Sequence, residues 1–121
     1  MNKGSCLCEK VKFAVAGSLG EVRYCHCSQC RRITGSAFSA NAKISKDCFD
    51  IEAGKSLIKE FEHKPGVIRA FCSNCGSPVY SRLDADPQNI RVRLGSFSEA
   101  QGVDITAVSY THLTLPTTPY V

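Results

Sequence analysis

Eight of the 121 residues are cysteines, and seven of these fall into three tight clusters. The first is Gly4-Ser5-Cys6-Leu7-Cys8, the second Cys25-His26-Cys27-Ser28-Gln29-Cys30, and the third Cys72-Ser73-Asn74-Cys75-Gly76; Cys48 stands alone. A C-x-C pair entering a strand carries both Cβ atoms on one face, because side chains alternate with period 2. A C-x2-C pair followed by glycine makes a tight turn with both sulfurs facing one ion, and Gly76 is free to take a positive φ there. Four thiolates close a structural zinc site, whereas three leave a position for water or substrate. Cys6, Cys8, Cys72 and Cys75 supply two half-sites from distant parts of the chain, together a complete four-thiolate set. Cys25, Cys27 and Cys30 form a local group of three. Soft thiolates favour zinc, and an iron–sulfur cluster would use similar ligands. Either His26 or Cys48 is available as a fourth ligand to the local group. His26 points to the opposite face if the segment stays extended, and Cys48 suits the core as a small hydrophobe.

The elements that must position these groups read mostly as strands. Val11, Phe13 and Val15 alternate with Lys12, Ala14 and Ala16, and Ile90, Val92 and Leu94 alternate with Arg91 and Arg93, as in half-buried antiparallel strands. Similar runs occur at Glu21–Tyr24, Ser36–Ala42, Phe49–Glu52, Leu57–Glu62, Val67–Phe71 and Pro78–Arg82, separated by turn residues. No window sustains helical periodicity, so nothing longer than a turn or two after Cys30 is expected. The spacing predicts one all-β domain, held together by zinc.

The tail departs from this pattern. From Val108 onward the chain is rich in Thr and Pro and free of Lys, Arg, Asp and Glu. Val108–Thr117 matches the translation of a transposon-end sequencing adapter, so residues 3–107 are taken as the domain and 108–121 as a non-native tail. The bland reading of the same residues is a final Thr-rich strand. As part of such a tail, His112, Tyr110, Tyr120, Pro116 and Pro119 carry no functional information.

Composition narrows the function classes. Hydrophobic residues make up 43% and charged residues 21%, which is globular rather than disordered composition. No apolar run approaches the roughly 18 residues of a membrane span. The start, Met-Asn-Lys-Gly-Ser-Cys, lacks the apolar segment of a secretory signal, and a cytoplasmic location is expected. Thiols stay reduced there, which disfavours disulfides, and a redox C-x-x-C belongs in a βαβ context absent here. The net charge of +4 is too mild to argue for nucleic acid. Seven thiolates and two divalent cations together subtract three charges, leaving about +1 in the metal-loaded protein.

The ordered set Gly-Ser-Cys-x-Cys at 4–8, Cys-His-Cys-x-x-Cys-Arg at 25–31 with Gly35, and Phe-Cys-x-x-Cys-Gly-Ser at 71–77 resembles the glutathione-dependent formaldehyde-activating enzyme family, which includes centromere protein V. The strand end Val92–Gly95 resembles the family's segment after the third cluster. The resemblance covers residues 3–107. It implies a β-tent-like fold, carbon–sulfur lyase activity and two zinc ions per chain. The structural zinc would sit on Cys6, Cys8, Cys72 and Cys75, and the open one on Cys25, Cys27 and Cys30. The family usually continues with a His and a Pro-Trp segment, whereas this chain has no Trp and runs into the tail.

On that resemblance, glutathione sulfur takes the open position as thiolate and adds to formaldehyde, giving S-hydroxymethylglutathione, or the reverse step expels formaldehyde. Three thiolates leave the zinc centre formally −1, so a neighbouring cation would help. Arg31 and Arg32, directly after the last ligand, are the candidates to meet a glutathione carboxylate, against a role as solvated surface charges. Thr34, Gly35 and Ser36 are expected near the pocket, and His26 is a candidate proton shuttle. The competing class is a non-catalytic zinc module with a protein or nucleic-acid partner, or a glutathione carrier. The chain lacks the interleaved aromatic and basic residues of nucleic-acid-binding sheets.

Overall fold

Short runs of alternating side chains, broken by glycine turns, leave the backbone to be satisfied by strand pairing rather than within helices. The computed structural model describes residues 2–98 and the backbone of 107–109 and 114–116. In chain order the strands are β1 (Asn2–Ser5), β2 (Lys12–Val15), β3 (Glu21–Cys25), β4 (Ser39–Ser45), β5 (Phe49–Ala53), β6 (Ile58–Lys64), β7 (Val67–Cys72), β8 (Pro78–Leu83), β9 (Asp86–Arg93), β10 (Ala107–Ser109) and β11 (Thr114–Pro116). One helix, α1 (Ser28–Thr34), interrupts them. The fold is all-β, as expected.

The strands form two sheets. The smaller has the order β1-β2-β5, and the larger runs β11-β10-β3-β4-β9-β8-β7-β6. Neighbours are antiparallel except β10, which lies parallel to β3. The core lies where the sheets face each other. Phe13 of β2 is fully buried, with its ring centroid 5.2 Å from Phe49 and 5.6 Å from Phe97. Val22, Ala42, Ile44, Ile90 and Val92 of the larger sheet complete the apolar cluster.

Three departures from the alternation have local causes. Ala14, read as outward-facing, is buried within β2, the middle strand of its sheet. The strand expected from Ser36 begins at Ser39, because the Ser36 hydroxyl bonds both the N–H and the C=O of Phe38 and makes a turn there. Strand β1 carries no apolar alternation to announce it. It pairs with β2 because Gly4 has no side chain: a Cβ there would lie 2.5 Å from the Phe13 ring and 2.6 Å from the Ser96 carbonyl.

The tail contributes backbone to the larger sheet through β10 and β11, which pair with each other. Its remaining residues, His112, Tyr110, Tyr120 and Pro119 among them, lie outside the described residues. Among the described residues no helix is long and apolar enough to cross a membrane.

Candidate functional site

The outer cysteine set is assembled by two hairpin loops, one from each sheet. Cys6 and Cys8 do not ride on a strand, as the C-x-C spacing suggested, but on the turn that leaves β1. The Cys6 N–H donates to the Val11 carbonyl and the Glu9 N–H to the Cys6 carbonyl, both at 3.1 Å, with Glu9 at φ 64°. A turn of this kind carries both sulfurs inward where a pleated strand would have set them farther apart. Cys72 ends β7, and the turn to β8 closes through Gly76, at φ 81°, whose N–H donates to the Cys72 carbonyl at 2.7 Å. Ser77 joins the two loops: its hydroxyl accepts from the Leu7 N–H at 3.1 Å and lies 3.2 Å from Cys75 Sγ.

The four Sγ atoms lie within 4.8 Å of one another. Cys6 and Cys8 are separated by 3.4 Å and Cys8 and Cys72 by 3.9 Å. Tetrahedral zinc with Zn–S of about 2.3 Å requires edges of about 3.8 Å, so the residues fit such an ion. The cysteines are all free thiols. Burial, above all, pushes Cys6 up to about 11. The Ser77 hydroxyl and backbone draw Cys75 down to about 5, and the Asn74 side chain, with the Lys10 backbone, lowers Cys8. Part of the set is thus prepared as thiolate, the form that binds metal.

The inner set is local. Cys25 ends β3, Cys27 caps α1 and Cys30 lies in its first turn. The Cys30 N–H donates to Cys27 Sγ at 3.4 Å, so a thiol does the work usually given to a Ser or Asp cap. The helix begins at Ser28 rather than after Cys30, because capping at Cys27 needs Cys30 inside it. Gly35 ends the helix in the left-handed region at φ 66°, donating to the Arg31 carbonyl. Cys25 and Cys27 sulfurs are 3.3 Å apart, and the three Sγ atoms lie within 4.8 Å. Among the described residues no fourth Cys, His, Asp or Glu joins them. Burial pushes Cys25 up to about 12. Burial also opposes ionisation of Cys27, but the Cys30 backbone N–H, with the neighbouring thiols and Gln29, outweighs it and lowers that group. The His26 ring stacks on Phe38 with centroids 5.2 Å apart, and Cys48 packs against the core outside both sets.

A cavity of about 630 Å³ is bordered by Cys6 of the outer set and by Thr34, Phe38, Ser39, Arg93 and Phe97 among others. The inner thiols do not themselves line it. They meet it through Thr34, whose hydroxyl donates to the Cys30 carbonyl at 2.8 Å, and through Ser39, the cross-strand partner of Cys25. Arg31, Arg32 and Gly35 are exposed and do not line it.

A family profile described as glutathione-dependent formaldehyde-activating enzyme matches residues 1–112. The chain belongs to this family. A curated Penicillium rubens protein named "Putative glutathione-dependent formaldehyde-activating enzyme" is 24% identical over 81 residues, covering 67% of this chain and 42% of that one. The chain thus matches less than half the length of that relative. A crystal structure of a Rhodobacter sphaeroides protein superposes with a TM-score of 0.71 at 22% identity, covering 90% of this chain and 99% of that one. That likeness speaks to the fold.

One buried cation is not announced by the sequence. Arg93, placed by alternation on the solvent side of its strand, is only 7% exposed. It stands opposite Asn41 in the β4–β9 register, and its Nη1 donates to Asn41 Oδ1 at 2.8 Å. Asn41 Nδ2 in turn donates to Ser39 Oγ at 3.1 Å. Burial lowers the Arg93 pKa. The signal that would have found it is the register that sets Cys25, Ser39, Asn41 and Arg93 on one face, which no local pattern encodes.

Proposed function

We propose that residues 3–107 form a zinc-dependent carbon–sulfur lyase that makes or cleaves S-hydroxymethylglutathione, the adduct of glutathione and formaldehyde. The observation that carries this reading is a group of three thiols, rather than four, beside a cavity large enough for a tripeptide. Cys6, Cys8, Cys72 and Cys75 are assigned the structural zinc, and Cys25, Cys27 and Cys30 the open one. Zinc at the inner set would supply a coordination position that takes a thiol in its thiolate form and fixes its direction.

The chain's own residues then divide the remaining work. Thr34 ties the last turn of α1 to the Cys30 carbonyl and so holds the ligand loop still. As the carbon–sulfur bond forms, the sulfur lone pair attacks the aldehyde carbon and a proton must reach the aldehyde oxygen. His26, between two of the ligands and steadied by Phe38, is assigned that transfer. Arg31 and Arg32, exposed on α1, would reach a bound ligand only from its solvent side. Free thiols throughout the chain suit a reducing compartment, and the cytoplasm is the proposed location.

The test pairs metal analysis with NMR exchange spectroscopy of glutathione and formaldehyde on wild type and Cys27→Ser. Two zinc ions per wild-type chain, accelerated exchange, and loss of one zinc with the acceleration in the variant are expected. Exchange no faster than in buffer would refute the enzyme and leave a thiol carrier.

A further inference from the structure

Burying a guanidinium costs several kcal/mol unless negative charge and hydrogen bonds compensate it. Arg93 is nine-tenths buried, yet among the described residues no carboxylate pairs with it. Of its five N–H donors, Nη1 is engaged by Asn41, and Nε is buried with no hydrogen-bond partner. The same residue lines the cavity of about 630 Å³, on the sheet face that ends at Cys25. A fixed, under-bonded cation in a cavity wall is a receptor for an anion.

Resting on the glutathione reading above, we infer that Arg93, clamped by Asn41 and backed by Ser39, docks a carboxylate of the thiol substrate while its sulfur reaches the Cys25–Cys27–Cys30 group. Arg93 is thus the residue that selects acidic thiols over neutral ones. Asn41 acts as a positioning residue: it spends its carbonyl on Nη1, fixes the guanidinium in the wall and leaves its Nε without a partner. The serine-rich remainder of the wall, including Ser39, Ser77, Ser96 and Ser98, offers neutral donors and no competing carboxylate beyond Glu9.

The test is calorimetric binding to the zinc-loaded protein of glutathione, its diethyl ester and 2-mercaptoethanol, with zinc content measured in parallel. Wild type is expected to bind glutathione about 10- to 100-fold more tightly than the diester, the range of a charge-assisted pair. Arg93→Met should lose that preference and keep both zinc ions, and Arg93→Lys should retain part of it. Equal binding of acid and ester by wild type overturns the assignment without disturbing the glutathione reading. Absence of any glutathione binding by wild type overturns both. The wild-type comparison decides the matter even if Arg93→Met does not fold.

Discussion

Cys72→Ser is the most severe perturbation that the geometry singles out. Cys72 is fully buried, contributes one of four sulfurs within 4.8 Å, and links β7 of the larger sheet to a loop that leaves β1 of the smaller. Serine oxygen is a poor partner for an ion chosen by soft thiolates. A structural zinc contributes on the order of 10–16 kcal/mol at neutral pH, while a domain of this length has a net stability of about 6–18 kcal/mol. Losing the site therefore removes most or all of the margin. The vacated position adds a buried hydroxyl costing about 1–3 kcal/mol if it finds no partner. The expected outcome is one metal ion fewer per chain and loss of a cooperative denaturant transition at pH 7, read by circular dichroism and elemental analysis. Cys48→Ser is the control, since that thiol packs against the core outside both sets. It should keep full metal content and lose about 1–2 kcal/mol. A Cys72→Ser protein that unfolds cooperatively within about 1 kcal/mol of wild type would refute the claim that this cluster joins the sheets.

Two further perturbations test the packing and the surface. Gly4→Ala puts a methyl group against the Phe13 ring and the Ser96 carbonyl, and overpacking of this kind should cost about 1–3 kcal/mol in urea unfolding; an unchanged midpoint would contradict the close approach of β1. Glu60 accepts two bonds from Arg82, at 2.9 and 3.0 Å, and one from the Tyr80 hydroxyl, and the Arg82 bond chiefly holds its pKa below the usual carboxylate range. Both charged partners are over a third exposed, so Glu60→Gln should cost only about 0.5–1 kcal/mol at pH 7. Because the folded pKa is depressed, that difference is present above the unfolded value and fades as pH falls through the folded one. A wild-type advantage that persists undiminished at pH 2 would place its origin elsewhere.

The cysteine sets were legible because their information is local or chemical. Cys25, Cys27 and Cys30 span six residues, so one strand end, one cap and one helical turn suffice to gather them. The outer set spans the chain, but its two halves share a residue type and each brings two thiols at close spacing. The strands announced themselves wherever a buried face alternates with an exposed one. They were misread where burial is two-sided, as at Ala14, or where a serine hydroxyl turns the chain, as at Ser36.

By itself, then, the sequence determined the all-β class and which thiols pair into sets, since these follow from period and spacing, and its three ordered motifs carried the family resemblance. Tertiary structure alone decided how the sets are held and what faces the cavity. It moved Cys6 and Cys8 from a strand to a turn, made Ser77 the bridge between two loops, and set Gly4 against Phe13. It also left Arg31 and Arg32 exposed and buried Arg93 in the cavity wall. Arg91 and Arg93 look alike in the sequence, each flanked by apolar residues. Strand register is a long-range property, and it alone put Arg93 opposite Asn41, two residues along β4 from the partner of Cys25.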